Sequence, residues 1–302
     1  MTRTMDGILC IDKPGDHTSF DVVARVRGIL KQRKAGHGGT LDPMATGVLP
    51  IFLGTATKCC DILPNDRKCY LAEAQLGAAT DTQDCTGTIT ERLETRLTEK
   101  ALREALGAFE GGYRQQPPMY SAIQVGGQRL YDLARQGVEV KREKRAVLLH
   151  RLELRAFDEE KQTFTLEVEC GKGTYVRTLC DDIARRAGSA AYLTALRRTM
   201  SAGFTLADCL TLEELTERAA AGKIEDKLLP TGRAFGGLPR VYLSPKQAVM
   251  LRNGVKLSAE KLKCQTDAGK VAVYGWQEGF LAVAELNPSS GLLEGVKLFC
   301  AR

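Results

Sequence analysis

The segment Gly36-His37-Gly38-Gly39-Thr40-Leu41-Asp42-Pro43-Met44-Ala45-Thr46-Gly47 constrains the fold of this chain more than any other stretch. Its four glycines and one proline dictate the backbone before any side chain is considered. Glycine admits positive φ and lets a second backbone approach closely. Pro43 pushes Asp42 out of the helical region toward an extended conformation. The result is one carboxylate held in a loop with little else able to do chemistry, and His37 shortly upstream. Two readings fit that spacing. Asp42 is either a displayed functional group or a turn residue bonding its own backbone, as Asp does beside Gly and Pro.

A chain of 302 residues has room for one large domain and a small one. Hydrophobic content of 43% and charged content of 26% are those of a water-soluble globular protein. The apolar run Gly7 to Ile11 is too short for a signal-peptide core or a membrane span, which predicts a cytoplasmic protein without membrane association. Ten cysteines are scattered without a Cys-x-x-Cys pair, and only His17, His37 and His150 could join them on a metal. No metal site is expected, and most cysteines are read as small buried hydrophobes. The net charge of +6 favours a polyanionic partner. Basic residues cluster at Arg25, Arg27, Lys31, Arg33 and Lys34, and again at Lys141, Arg142, Lys144 and Arg145. Each cluster fits a solvated face as well as a nucleic-acid contact.

The opening reads as a strand over 7–11, a turn, and a helix from about Phe20, with Thr18 and Asp21 spaced as a capping box. Val22, Val26, Ile29 and Leu30 repeat at helical spacing and face a core, while Arg27, Lys31 and Lys34 make a basic stripe leading into the Gly36 loop. Strands are expected over 49–53, 68–76, 146–157 and 163–170, and helices over 98–109, 174–186 and 190–198. The irregular excursion from about 116 to 145, with a short helix near 130–135, has the length of a functional insertion. Composition breaks between Pro230 and Pro239, so residues 1–238 are read as the catalytic domain and 239–302 as a small barrel with strands near 255–257, 270–276 and 280–285.

No phosphate-loop spacing, His-Glu-x-x-His or Gly-x-Ser-x-Gly element occurs; Gly171-Lys172-Gly173-Thr174 has the residues of a phosphate loop without its spacing. What remains is Asp42, arginine-rich elements and a few tyrosines. The run from Gly36 to Pro50 closely resembles the catalytic motif of the TruB family of RNA pseudouridine synthases. Further motifs follow in family order. These are Asp12-Lys13-Pro14 with Thr18-Ser19, Lys68-Cys69-Tyr70, Thr80-Asp81-Thr82, Gln116 to Ala122 with Gly127, Arg129 and Tyr131, Gly171 to Arg177, and Leu196-Arg197-Arg198. Two positions depart from the family pattern: Gln124 where Lys is frequent, and Asp16 where Gly is usual.

The resemblance implies an α+β pseudouridine synthase fold with a mixed, largely antiparallel central sheet, followed by a PUA-like β-barrel that binds RNA. It implies isomerisation of uridine 55 in the TΨC loop of tRNA by a stand-alone monomeric enzyme, without cofactor or obligatory protein partner. Asp42 would be the nucleophile or base, Arg177 its ion-pair partner and Tyr70 an aromatic platform. Tyr175 and Leu196 would line the pocket, His37 would brace the gap left by the flipped base, and Lys13, Arg129 and Arg197 would serve RNA binding. Lys13 is expected to support the loop and also to reach phosphate. Two rivals are a guide-RNA-dependent relative that needs protein partners and a catalytically silent RNA binder; activity of the isolated protein on tRNA separates all three.

Overall fold

The computed structural model describes residues 5–64, 67–121, 123–264 and 269–300. Ala122 of the insertion motif lies outside the described residues, as does the side chain of Arg129. Strand β1 (Gly7–Lys13) leads into helix α1 (Ser19–Leu30), then β2 (Ala35–His37), β3 (Thr46–Leu53) and β4 (Lys68–Leu76). Helix α2 (Glu99–Leu106), strands β5 (Leu149–Asp158) and β6 (Thr163–Cys170), helix α3 (Val176–Arg186), strand β7 (Ala191–Ser201), strand β8 (Cys209–Leu210) and helix α4 (Leu212–Ala220) follow. Among the described residues these strands build a nine-stranded sheet in the order β5-β6-β4-β7-β3-β1-β8, with β2 added on β3 and Phe204–Thr205 on β7. Within this sheet, among the described residues, only β1–β8 and β7–β3 are parallel strand pairs.

The ends of α1 are set locally. Thr18 Oγ1 accepts from Asp21 N–H at 3.1 Å, and the Asp21 carboxylate accepts from Thr18 N–H at 2.8 Å, closing a capping box. The helix stops at Leu30 because Lys31 turns left-handed, with φ 49°. Lys31 and Lys34 therefore lie beyond it, and Arg27 donates to Ala35 O at 2.6 Å, so the expected helical basic stripe does not form as a continuous face.

β1 and β3 carry almost unbroken apolar runs because both of their faces are covered. On one side Leu9, Ile11, Leu49, Ile51 and Leu53 pack with α1 and α4 through Val22, Val26, Leu212 and Leu215. On the other, Ile8, Cys10, Val48 and Phe52 meet Phe235, Ala272, Val283 and Phe299 from the C-terminal region. Each Val, Leu, Ile or Phe among them contributes roughly 1.5–3 kcal/mol when fully buried. Pro50, which has no N–H, sits where β3 changes neighbour, from β7 at Thr46 and Gly47 to β2 at Ile51–Leu53. Its carbonyl still accepts from Gly38 N–H at 2.9 Å, and the β2 ladder begins only at the next residue, a strand-end position where proline is tolerated. β4, β6 and β7 cover a separate cluster with α2 and α3 that includes Leu102, Phe164, Leu166, Leu179 and Leu193.

The C-terminal sheet is built from β9 (Arg240–Leu243), β10 (Gly269–Gly275), β11 (Gly279–Asn287) and β12 (Leu292–Leu298), with Lys263–Cys264 at one edge. It docks through a cluster in which Phe235 stacks on Phe280 at 5.3 Å and leans on Phe299. Thus the fold is α+β with a small C-terminal β unit, in line with the expectation.

Three local expectations are corrected. Residues 191–198 of the helix expected over 190–198, rich in helix-forming Ala, Leu and Arg, belong to strand β7, because this segment fills the slot between β4 and β3 in the sheet interior. That tertiary pairing overrides a weak local propensity. The strand expected over 146–157 is two strands. Arg145–Val147 pairs with Tyr113–Gln115 at the base of the insertion, and β5 begins after the exposed Leu148. Residues 255–257 form no strand, with only an isolated bridge between Ser258 and Leu292 beside them. No helix among the described residues is long and apolar enough to cross a membrane.

Candidate active site

The loop between β2 and β3 has the carbonyls of residues 39–43 claimed by specific donors. Arg198 donates from Nη2 to Gly39 O at 3.1 Å, from Nη1 to Thr40 O at 3.3 Å and from Nε to Val48 O at 2.8 Å. Ser19 takes both backbone groups of Leu41: its Oγ accepts from Leu41 N–H at 2.8 Å and donates to Leu41 O at 3.2 Å. The Asp42 carbonyl accepts from Ala45 N–H at 3.1 Å, and Lys13 Nζ donates to Pro43 O at 3.0 Å. A loop with five consecutive carbonyls held by specific donors has little freedom to relax. Gly47 makes it possible: with φ at +104°, a Cβ there would lie 2.2 Å from Arg198 O.

This framework presents the Asp42 side chain, which keeps 34% exposure, to a cleft. Arg177, on the first turn of α3 and only 4% exposed, grips it: Nε lies 2.8 Å from Oδ2 and Nη2 lies 3.3 Å from Oδ1. The same guanidinium donates from Nη1 to Thr82 O at 2.6 Å and from Nη2 to Tyr120 O at 3.0 Å. A second carboxylate, Asp84, stands 3.6 Å from Arg177 Nη1. Asp84 is buried and accepts from Thr82 Oγ1, Thr86 N–H and Thr86 Oγ1, which is why the Thr-Asp-Thr segment belongs in this site. Such an ion pair in a partly closed pocket is worth on the order of 4 kcal/mol at an effective dielectric of 20. Enclosure nevertheless drives the Asp42 carboxyl above the ordinary aspartate range; Arg177 pulls against that rise, Asp84 adds to it, and Lys13 opposes it more weakly.

The walls are apolar. Tyr70 and Leu196, each 6% exposed, share one cluster with Leu41, Ala45 and Val176. Burial pushes the Tyr70 phenol up to about 12, against the pull of the neighbouring Arg198. Tyr70 faces Arg198 across the β4–β7 ladder, and Leu196 faces Ala72. Tyr175, the residue that begins α3, places its ring beside Ser121 of the insertion, and burial raises its phenol. His37 closes β2 opposite Ile51. Burial first, and Arg198 second, hold its imidazole below the ordinary histidine value and hence neutral, and its Nδ1 is buried without a hydrogen-bond partner among the described residues.

Asp42 and Arg177 are thus brought into contact, while Tyr70, Tyr175 and Leu196 lie in or against the surrounding apolar wall. Two sequence readings change. Lys13 has 0% exposure and spends its ammonium on Pro14 O and Pro43 O, so it props the loop and is not presented to a phosphate. Desolvation lowers it to about 8. Arg197 makes a bidentate pair with Asp12, at 2.7 and 3.1 Å, on the face of β7 opposite Leu196 and Arg198. Arg198 is the arginine that holds the backbone of the Asp42 loop. Strand alternation would have singled it out had the segment been read as β. Asp84 and Ser19 were also missed as site residues; Ser19 stood in a quoted motif, but nothing in its spacing reveals a bond to Leu41. Asp16 takes φ of 58°, so the turn normally given to Gly survives the departure. In the second basic cluster Arg142 is turned inward to Pro117 O at 3.1 Å, leaving Lys141, Lys144 and Arg145 on the surface.

No group of three or more His, Cys, Asp or Glu among the described residues is placed to hold a metal ion. A model described as the TruB family pseudouridylate synthase N-terminal domain matches residues 27–176, and one described as the tRNA pseudouridylate synthase B C-terminal domain matches residues 177–235. The chain is 43% identical over 282 residues to tRNA pseudouridine synthase B of Dehalococcoides mccartyi strain CBDB1, covering 93% of this chain and 92% of the relative. It is 39% identical to the protein of that name from Geobacillus thermodenitrificans, covering 98% of this chain and all of the relative. Among solved structures, a chain of a Cbf5–Nop10–Gar1 complex is similar with TM-score 0.78 and 25% identity, covering 98% of this chain and 85% of that one. Agreement of this extent, running through the loop, the clamp on α3 and the strand of Arg198, places the chain in the TruB family of pseudouridine synthases.

Proposed function

We propose that this enzyme isomerises uridine 55 in the TΨC loop of tRNA to pseudouridine, acting alone and without a cofactor. The observation that carries the reading is the clamped, reachable Asp42 carboxylate in an apolar cleft. The reaction breaks the bond from N1 to the ribose and forms one from C5, with a proton lost from C5 and one gained at N1. It is redox-neutral and needs a nucleophile or base beside the sugar and base, a role a carboxylate can fill. Asp42 takes that role, and Arg177 keeps it ionised and aimed.

The target uridine leaves its stack at a cost of a few kcal/mol. Stacking on Tyr70 returns roughly 1–3 kcal/mol. Tyr175 and Leu196 complete the slot, and His37, neutral and partly buried, braces the mouth of the loop. Arg129 and the surface cations Lys141, Lys144 and Arg145 grip the RNA backbone, which sets affinity and its salt dependence without reading bases. Residues 239–302, where the second sheet begins at Arg240, form the RNA-binding accessory domain in this reading.

The test is direct. Purified protein alone is incubated with unmodified tRNA transcript, and pseudouridine is mapped, beside Asp42→Asn. Product at uridine 55 with wild type and none with Asp42→Asn is expected. Undiminished product from Asp42→Asn sinks the mechanism. RNA binding without product favours the silent binder, and a requirement for added proteins favours the partner-dependent relative.

A further inference from the structure

We infer that Gln115 is a positioning residue that couples the insertion to Arg177, so that seating the insertion and aligning the Asp42–Arg177 pair are a single event. This rests on the reading of that pair as the reacting centre. Helix α3 carries Arg177 on its first turn, yet Tyr175 at its start supplies no side-chain cap. Gln115 supplies one from a different element: its Oε1 accepts from Tyr175 N–H at 2.8 Å, and its Nε2 donates to Tyr175 O at 2.9 Å. Nε2 also donates to the Tyr113 hydroxyl at 2.6 Å, and that hydroxyl donates to Asp182 of the same helix at 2.7 Å. One amide, 1% exposed, therefore ties α3 at its first turn and, through Tyr113, further along.

The location gives the contact its meaning. Gln115 lies opposite Arg145 in the short antiparallel pair at which the insertion leaves the body and returns to it. Arg114 reinforces that junction by donating to Lys144 O at 3.0 Å. From within the insertion, Tyr120 O accepts from Arg177 Nη2 itself at 3.0 Å. A displacement of the insertion thus bears on Arg177 from both sides, through the start of its helix and through its guanidinium. A misplacement of about 1 Å at a reacting group costs on the order of 100-fold in rate.

Single-turnover pseudouridine formation and tRNA affinity are measured for Gln115→Met, Arg177→Lys and the double variant. Gln115→Met is expected to slow the chemical step by roughly tenfold or more while leaving affinity within about threefold. In the Arg177→Lys background the same substitution is expected to cost less than about twofold, since its route of action is already cut. It also moves the acid limb of the rate profile upward, as Arg177→Lys does. If Gln115→Met fails to fold, Gln115→Glu serves in the same cycle, because it keeps the acceptor for Tyr175 N–H and loses the donor to Tyr175 O. Additive losses overturn the coupling, and so does a loss of affinity as large as the loss of rate. Full activity of Arg177→Lys overturns the reacting-pair reading and this inference with it, whereas an impaired Arg177→Lys with additive Gln115 losses overturns the inference alone.

Discussion

Neighbouring arginines on β7 give a stringent prediction, because the two side chains differ only in the face they occupy. Arg198 is wholly buried and serves Gly39 O, Thr40 O and Val48 O, whereas Arg197 is 40% exposed and meets Asp12. Bonds from a charged donor are worth about 1.5–3 kcal/mol each. Against those three stands the several kcal/mol that a guanidinium loses on leaving water, so Arg198→Met should cost a net of roughly 2–5 kcal/mol of stability. Val48 O, fully buried, is left without its partner, while the half-exposed Gly39 and more exposed Thr40 can turn to water. The freed loop then shifts Asp42, and a displacement near 1 Å lowers turnover by about 100-fold. Arg197→Met should cost about 0–1 kcal/mol, as a part-exposed pair does, and leave the chemical step within a few-fold. Arg198→Lys should rescue little, since one ammonium cannot span three diverging carbonyls. Urea denaturation reads the stability and single-turnover pseudouridine formation reads the rate. Equal effects of Arg197→Met and Arg198→Met, or full turnover in Arg198→Met, would refute the assignment of loop support to Arg198.

Three further outcomes are expected. In the proposed mechanism Asp42 reacts in its ionised form, and burial raises its carboxyl, so activity should fall with acidification at a pH above the ordinary aspartate value of 3.8. Arg177→Lys should move that limb higher still, because a less closely placed cation pulls the carboxyl down less; an unmoved limb in single-turnover pH profiles contradicts the electrostatic role. Gly47→Ala places a methyl against Arg198 O at positive φ, and should cost at least about 3 kcal/mol in thermal or urea unfolding. Wild-type stability there would show that β7 can withdraw from the loop.

Much of the site was legible because its chemistry is concentrated in short motifs. Asp42 stands out through the glycines and proline that frame it, and Arg177 through the glycine-punctuated approach to α3. Capping residues marked the start of α1, and apolar alternation marked β6, for the same reason: their determinants lie within a few residues. The segment 190–198 was misread because its local preference is helical, and only the vacancy between β4 and β3 makes it a strand. Once that strand is known, alternation alone separates Arg198 from Arg197. Lys13 was half understood, since nothing local says that a lysine after a strand is fully covered.

Local sequence marked out one carboxylate framed by glycines and a proline, and the order of its motifs pointed to the family and, through that resemblance, to Arg177 as its partner. Tertiary structure decided who holds the loop still. Ser19, Lys13 and Arg198 come from α1, β1 and β7, and Asp84 and Tyr120 join Arg177 from segments far apart in the chain. Hydrogen bonds to backbone carbonyls leave no mark on residue type at the accepting position, so such partners become visible only when the strands are stacked in space.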